Sequence, residues 1–356
     1  MKVLLVPSGN PQTVQSAKLL AARLVIAGID SEVQPPQNTT VPVVDKHEIA
    51  LVVPMGGDGT FLSAARLIDF APIPLLAFNY GTLAFLSGNP ERDEVELVGV
   101  GIGAPNGNYY RGTIENAPNL PWKGPISVVE KMKRFFPTLP VILTNDANAA
   151  AVGEMIYGGA KGMKDFLVVT LGTGLGSGFV ANGQLIYGYT GFAGELGHVT
   201  VSHTGRVCGC GRKGCLETYV SATGIKRTIF KLMADSMEES EFRHITFNDL
   251  TAEMITKAAL NGDPLAIEAY EYTGMLLGHA LADAVTITSP EAIFLFGGLA
   301  KAGKYIFEPT KKYMEMHMMP VFRNKVKLLP SGIDGKNAAV LGASALVWQS
   351  LTGKQM

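Results

Sequence analysis

At 356 residues, 47% of them hydrophobic and 17% charged, the chain can bury a substantial core and has the length for two or three lobes. Thirty Lys and Arg against 31 Asp and Glu leave a formal charge of -1, which supplies no basic field for nucleic acid or an anionic membrane, so an anionic ligand must be held locally. The opening MKVLLVPSG is too short for a signal-peptide core, no apolar run reaches the roughly 18 residues of a transmembrane helix, and all three cysteines fall between Cys208 and Cys215, which together predict a cytoplasmic protein with a metal cluster rather than a disulfide framework.

In chain order, Lys2 to Pro7 reads as a strand, Thr13 to Ala27 as an amphipathic helix, Glu48 to Pro54 as a strand, Thr60 to Phe70 as a helix and Pro74 to Phe78 as a strand, with a polar, Pro-bearing loop at Gln34 to Thr40. Apolar strands separated by helices imply a parallel sheet in an α/β lobe. Leu97 to Gly103 is a further strand, Ala104 to Gly112 a loop, Ile126 to Phe136 a helix, Val141 to Leu143 a strand and Ala147 to Tyr157 a helix. The apolar strand Phe166 to Leu171 runs into a glycine loop, and Phe179 to Ile186 reads as a hairpin turning at Asn182-Gly183. Helical patterns fill Val220 to Ser289, broken near Asn261. A strand at Ala292 to Phe296, a Gly-Gly turn and a helix near Ala338 to Leu351 close the chain.

The sharpest chemical signal is Glu195-Leu-Gly-His198 followed by Cys208-Gly-Cys210-Gly-Arg-Lys-Gly-Cys215-Leu-Glu217. One imidazole and three thiolates form a common closed tetrahedral zinc set, and the intervening glycines let the backbone wrap the ion; the alternative is three buried, inert thiols. Leu143-Thr-Asn-Asp146-Ala-Asn-Ala lies where a strand meets a helix. A carboxylate there can accept the proton of a hydroxyl attacking a phosphoryl group, or it can simply cap the helix. In Thr170 to Gly178 alternating glycines let backbone N–H groups approach phosphate oxygens, and Gly297-Gly298 offers a second such turn; both also suit plain tight turns. Amides at Asn106, Asn116 and Asn119, in Pro-stiffened loops, suit neutral hydroxyl ligands or loop capping.

From about residue 98 onward the Gly194-Glu-Leu-Gly-His and Cys-x-Cys-Gly-x-x-Gly-Cys-x-Glu runs resemble the signature of the ROK family, which contains sugar kinases and related repressors. The resemblance implies a two-lobed, actin-like (ribonuclease H-like) ATPase fold, with residues 98–155 finishing the small lobe, 156–356 forming the large lobe, and the last helix a candidate to return to the small lobe. It implies structural zinc on His198, Cys208, Cys210 and Cys215, and sugar hydroxyls at Glu195, His198 and Glu217. The Asn-Asp-Ala-Asn-Ala run is similar to the family's, which makes Asp146 the catalytic base and Asn145 a sugar contact; Asn119, in an Asn-Leu-Pro segment, joins them. Gly172, Thr173 and Gly174 then belong to the ATP phosphates, with Gly297 and Gly298 on the adenosine side. Mg-ATP and a hexose are the implied partners, without nucleic acid or membrane, and a homo-oligomer is the implied assembly.

The opening departs from that pattern. ROK kinases begin with an Asp-x-Gly-Gly-Thr phosphate loop, absent here. Met55-Gly-Gly-Asp-Gly-Thr60-Phe-Leu, followed by Leu76 to Leu86, instead looks like the N-terminal domain of an NAD kinase, a Rossmann-like α/β segment over residues 1–97. In it Gly57 and Asp58 would meet the nucleotide, Asp58 at a ribose hydroxyl; Ala77 and Ala84 stand where that family usually has Gly. The chain therefore reads as a chimera with a seam near Val98. The expected activity is γ-phosphoryl transfer from Mg-ATP to the 6-hydroxyl of a hexose, with Asp146 as base. The alternative is a folded chimera that binds sugar and zinc but turns over poorly because its first phosphate loop is replaced. A repressor would need a basic helix-turn-helix opening, and NAD phosphorylation a second NAD kinase domain; the sequence displays neither.

Overall fold

The computed structural model describes residues 2–7, 11–34, 49–55, 98–117, 120, 124–333 and 338–352. Two compact units emerge, Met1–Gly99 with Glu130–Leu139, and Val100–Val129 with Pro140–Met356. The first contains β1 (Lys2–Pro7), α1 (Pro11–Ile26), β2 (Ser31–Val33) and β3 (Ile49–Met55), the strands all parallel in the order β2-β1-β3. A central parallel strand is covered on both faces, so its sequence is a continuous apolar run rather than an alternating one, and Val3, Leu4 and Leu5 are all buried. Ala17, Leu20, Ala21 and Leu24 of α1 pack on Val3, Leu5 and Val53. The expected helix at Thr60 to Phe70, the strand at Pro74 to Phe78 and the loop carrying Gly57 and Asp58 lie outside the described residues.

In the second unit β9 (Phe166–Leu171) is the middle of a five-stranded sheet with β10 (Leu175–Ala181), β11 (Gln184–Leu185), β12 (Ala292–Phe296) and β13 (Lys327–Pro330), ordered β11-β10-β9-β12-β13. β10 runs antiparallel to β9, whereas β12 and β13 are parallel to it. Strand alternation sorts the core. Leu167, Val169 and Leu171 face α4 (Ala222–Asp235), α5 (Ala252–Leu260), α6 (Pro264–Thr288) and α7 (Lys304–His317), while Phe166 and Val168 face α3 (Asp146–Tyr157) and α8 (Ala338–Thr352). The hairpin turn falls at Asn182 and Gly183, both at positive φ, 52° and 74°, as a two-residue turn between right-twisted strands requires.

Beside that sheet, β4 (Val100–Ala104) pairs in parallel with β8 (Val141–Asn145), and β5 (Gly107–Asn108), β6 (Thr113–Glu115) and β7 (Pro125–Ser127) form a small antiparallel sheet. The helix expected at Ile126 to Phe136 contracts to α2 (Val128–Lys133), because β7 takes its first residues. α8 packs on α3, β4 and β8. A side chain on Gly342 would overlap the Ala149 carbonyl and one on Gly101 the Ala343 carbonyl, so these elements meet backbone to backbone. Among the described residues no helix is long and apolar enough to cross a membrane.

Candidate functional site

The cysteine loop is built so that four side chains converge. Cys208 N–H donates to the Arg212 carbonyl at 2.9 Å and Gly211 N–H to the Cys208 carbonyl at 3.0 Å, which curls the Cys-Gly-Cys segment. Leu216 N–H donates to the Val199 carbonyl at 2.9 Å, which sets Cys215 beside the short turn Leu196–His198. Gly214, at φ 74°, has the Ser202 carbonyl where a side chain would go. The ligand atoms of His198, Cys208, Cys210 and Cys215 lie within 4.8 Å of one another, with Cys208 Sγ 3.6 Å from His198 Nδ1 and Cys210 Sγ 3.7 Å from Cys215 Sγ. A tetrahedron with Zn–S of about 2.3 Å and Zn–N of about 2.0 Å has edges of about 3.8 Å between sulfurs and about 3.5 Å between sulfur and nitrogen. The donor set therefore fits zinc in chemistry, and its two shortest contacts match the edges of that tetrahedron. Because Nδ1 faces the thiols, Nε2 of His198 points away from them and stays available to another partner.

The thiols are not equivalent. Burial holds Cys208 and Cys215 above the ordinary cysteine range. Burial opposes ionisation of Cys210 as well, but hydrogen bonds from Arg212 and the neighbouring thiols outweigh it and bring that group below its ordinary range. Arg212 also donates to the His198 carbonyl at 2.8 Å, so one exposed cation braces two of the four positions.

At the end of β8 the chain turns into α3. Asn145, at φ -63° and ψ 144°, is the N-cap, its Oδ1 accepting from Ala147 N–H at 2.8 Å. Asp146 is thus the first helical residue and not the cap, although its Oδ1 also accepts from Ala147 N–H at 2.9 Å. It is exposed at the helix tip yet crowded by protein, and this burial of the carboxyl raises its pKa above the ordinary Asp value against the lowering effect of the Ala147 bond.

Glu195 is raised likewise, first by burial, then by the charges of Asp146 and Glu217, with His198 pulling it down. Glu195 therefore stands close enough to Asp146, His198 and Glu217 to feel the charge of each. Ser177, which sequence reasoning did not single out, fixes Glu195 from below. Its buried hydroxyl donates to the Gly194 carbonyl and accepts from Leu196 N–H at 3.1 Å, gripping both neighbours of Glu195.

The glycine turns leave the carboxyl ends of the adjacent parallel strands β9 and β12, the edge where open α/β sheets bind ligands. Gly172 and Gly298 face open space and Thr173 is exposed, whereas Gly297, at φ 106°, lies against the Leu171 backbone. Gly174 abuts the Glu217 carboxylate. Asn145, Asp146, Gly172, Thr173, Gly174, Glu195, His198, Cys208, Cys210, Cys215, Glu217, Gly297 and Gly298 thus all belong to the second unit; Gly57, Asp58 and Asn119 lie outside the described residues.

Comparison with known proteins places the chain in a family. A glucokinase of Halalkalibacterium halodurans is 37% identical over 267 residues, which are 74% of this chain and 80% of that protein. A xylose repressor of Bacillus spizizenii is 31% identical over 251 residues, 70% of this chain and 61% of that protein. The crystal structure of a ROK family glucokinase from Streptomyces griseus, in complex with glucose and AMPPNP, superposes with a TM-score of 0.63 at 31% identity, covering 71% of this chain and 82% of that one. Residues 10–96 match the ATP-NAD kinase N-terminal domain. Residues 80–350, well over half of the sequence and including the whole cysteine cluster and the Asp146 helix, match the ROK family model, and the chain belongs to the ROK family.

Proposed function

We propose that this protein transfers the γ-phosphoryl group of Mg-ATP to the 6-hydroxyl of a hexose, with Asp146 as general base. One observation carries the reading: the carboxylate of Asp146 opens α3 with its pKa raised by burial, and its charge acts on Glu195, on which Glu217 and His198 also act. A carboxylate with a raised pKa is a stronger base, suited to taking the proton from an attacking hydroxyl. Glu195, Glu217, His198 through Nε2, and Asn145 through its free amide hydrogens would hold the ring hydroxyls, with Asn119 beside them. Gly172, Thr173 and Gly174 would hold phosphate oxygens and Gly297 and Gly298 the adenosine side, so that the protein's part is chiefly positioning. The H. halodurans glucokinase and the S. griseus complex with glucose and AMPPNP support a hexose and ATP as the substrates.

Zinc bound by His198, Cys208, Cys210 and Cys215 would have four protein ligands, which leaves no open position for a water nucleophile and makes its contribution structural. Residues 1–97 are assigned to the NAD kinase-like segment, 98–155 to the small lobe and 156–356 to the large lobe, with α8 returning to the small lobe on the strength of its packing against α3 and β4. Cytoplasmic residence and a homo-oligomeric assembly belong to the same proposal.

A coupled assay over glucose, mannose and N-acetylated hexosamines tests the activity. Absence of turnover on all of them, from folded and zinc-loaded protein, overturns it. A second reading is favoured by the two family matches, because the segment that matches the NAD kinase domain precedes most of the ROK match. On that reading the chimera binds sugar and zinc but is catalytically impaired because its first phosphate loop is replaced. Hexose-dependent thermal stabilisation without product would mark it, and nucleotide binding lost on substituting Asp58 would place the nucleotide at Gly56 to Thr60.

A further inference from the structure

We propose that Glu217 is a positioning residue for the glycine loop, tying the loop that carries Thr173 to the cysteine cluster. The inference rests on the assignment of that loop to the nucleotide phosphates.

Glu217 is anchored from behind by the cluster. It follows Cys215 by two residues in the turn Leu216–Thr218, where Thr218 Oγ1 donates to the Cys215 carbonyl at 2.7 Å and Leu216 is fully buried. Its side chain leaves this turn between the cluster and the glycine loop. Oε1 lies 3.8 Å from Cys208 Sγ, and Oε2 accepts from Leu175 N–H at 3.0 Å, the first residue of β10 and the far end of the glycine loop.

The loop shows the imprint of that contact. Gly174 cannot carry a side chain without meeting the Glu217 carboxylate, so glycine is needed there for the carboxylate to approach the backbone. Gly172 N–H donates to the Gly174 carbonyl at 3.0 Å, and the Gly172 carbonyl accepts from Ala222 N–H at 2.8 Å at the start of α4. Ala222 therefore fixes the near end of the loop and Glu217 the far end, while exposed Thr173 projects between them. Without the carboxylate the far anchor is lost, and the ordering of the loop must then be supplied by the nucleotide at the expense of affinity.

Calorimetry of the full-length, zinc-loaded chain with the non-hydrolysable ATP analogue AMPPNP, and separately with glucose, tests this, with zinc content and Tm measured on every variant. Glu217→Ala should weaken AMPPNP by about tenfold, the scale of one hydrogen bond to a charged group. Glu217→Gln keeps a carbonyl oxygen for Leu175 N–H and should restore AMPPNP binding to near wild type while glucose binding stays weak, a split that general loss of structure would not produce. If the alanine variant fails to fold, Glu217→Asp decides the matter: it keeps the charge but draws the oxygens back by a methylene, and should weaken AMPPNP as alanine does. Wild-type AMPPNP affinity in zinc-loaded alanine and aspartate variants overturns the inference alone. A wild-type chain that binds no AMPPNP overturns the kinase reading and the inference together.

Discussion

Asp146→Asn separates chemistry from binding and from folding. The substitution changes charge and basicity with little change in volume. Because Asn145 already caps α3 through Ala147 N–H, the helix start does not depend on the Asp146 carboxylate. Removing a general base costs about 10²- to 10⁴-fold in rate. The ring hydroxyls should still be held by Asn145, Glu195 and Glu217, so glucose affinity should change by only a few-fold, since the lost interaction is made mainly in the transition state.

Stability provides a second readout of known sign. Burial raises the Asp146 pKa in the folded chain, so the folded state holds the proton more tightly than the unfolded state. Ionisation therefore costs stability as pH rises from the ordinary Asp value through the raised one, and the neutral amide should melt at or slightly above wild type at pH 7. Turnover by coupled assay, glucose affinity by calorimetry and Tm by scanning calorimetry cover the three quantities. Unchanged turnover would remove Asp146 from the mechanism, and a large fall in Tm would show that the carboxylate serves the fold instead.

Cys210→Ser should lower zinc content, Tm and glucose affinity together, because a serine hydroxyl is a poor replacement for a thiolate ligand; zinc-free protein that binds glucose normally contradicts this. The acid limb of kcat/KM should lie above the ordinary Asp range, since Asp146 must be ionised to act and burial raises its pKa; a pH profile with its limb at or below that range contradicts the assignment. Gly342→Ala should destabilise the second unit by about 2 kcal/mol, because the new methyl overlaps the Ala149 carbonyl across the α3–α8 contact, and denaturant unfolding measures it.

The parts of the fold legible in the sequence are those whose burial is uniform along the element. β9 and β12 coincide with the expected Phe166 to Leu171 and Ala292 to Phe296, because strands covered on both faces are unbroken apolar runs. α7 was not foreseen: it carries Pro309 and several lysines and reads as broken, but Pro309 fits against Gly274 of α6, and that groove is invisible to local reasoning. The first half of β10, Leu175-Gly-Ser-Gly, reads as loop because glycine is poor in strands. β5 and β6 are two and three residues long, too short for any period to register. In the site, the convergence of His198, Cys208, Cys210 and Cys215 was legible from residue type and spacing. Bracing was not: Ser177 reaches its partners over 17 and 19 positions and Glu217 over 42, separations that carry no local pattern.

The glycines of β10 that hide the strand also explain where Asp146 stands. Gly176 and Gly178 bring Ala147 and Ala151 of α3 down onto the β10 backbone, and on the helix's other side Gly153 and Gly342 bring it against α8. A helix held between backbones on two faces has little freedom to slide, unlike one resting on long side chains that can change rotamer. Asp146 is the first residue of this clamped helix, one position beyond its cap and the last residue of β8. On the proposed mechanism the base must be placed to within about 0.5 Å, and the clamp would supply this without any direct bond from the carboxylate to another functional side chain among the described residues. The freedom left to Asp146 is then rotation of its own side chain, and the oxygen not bonded to Ala147 N–H is the one that would face the hydroxyl in the proposed reaction.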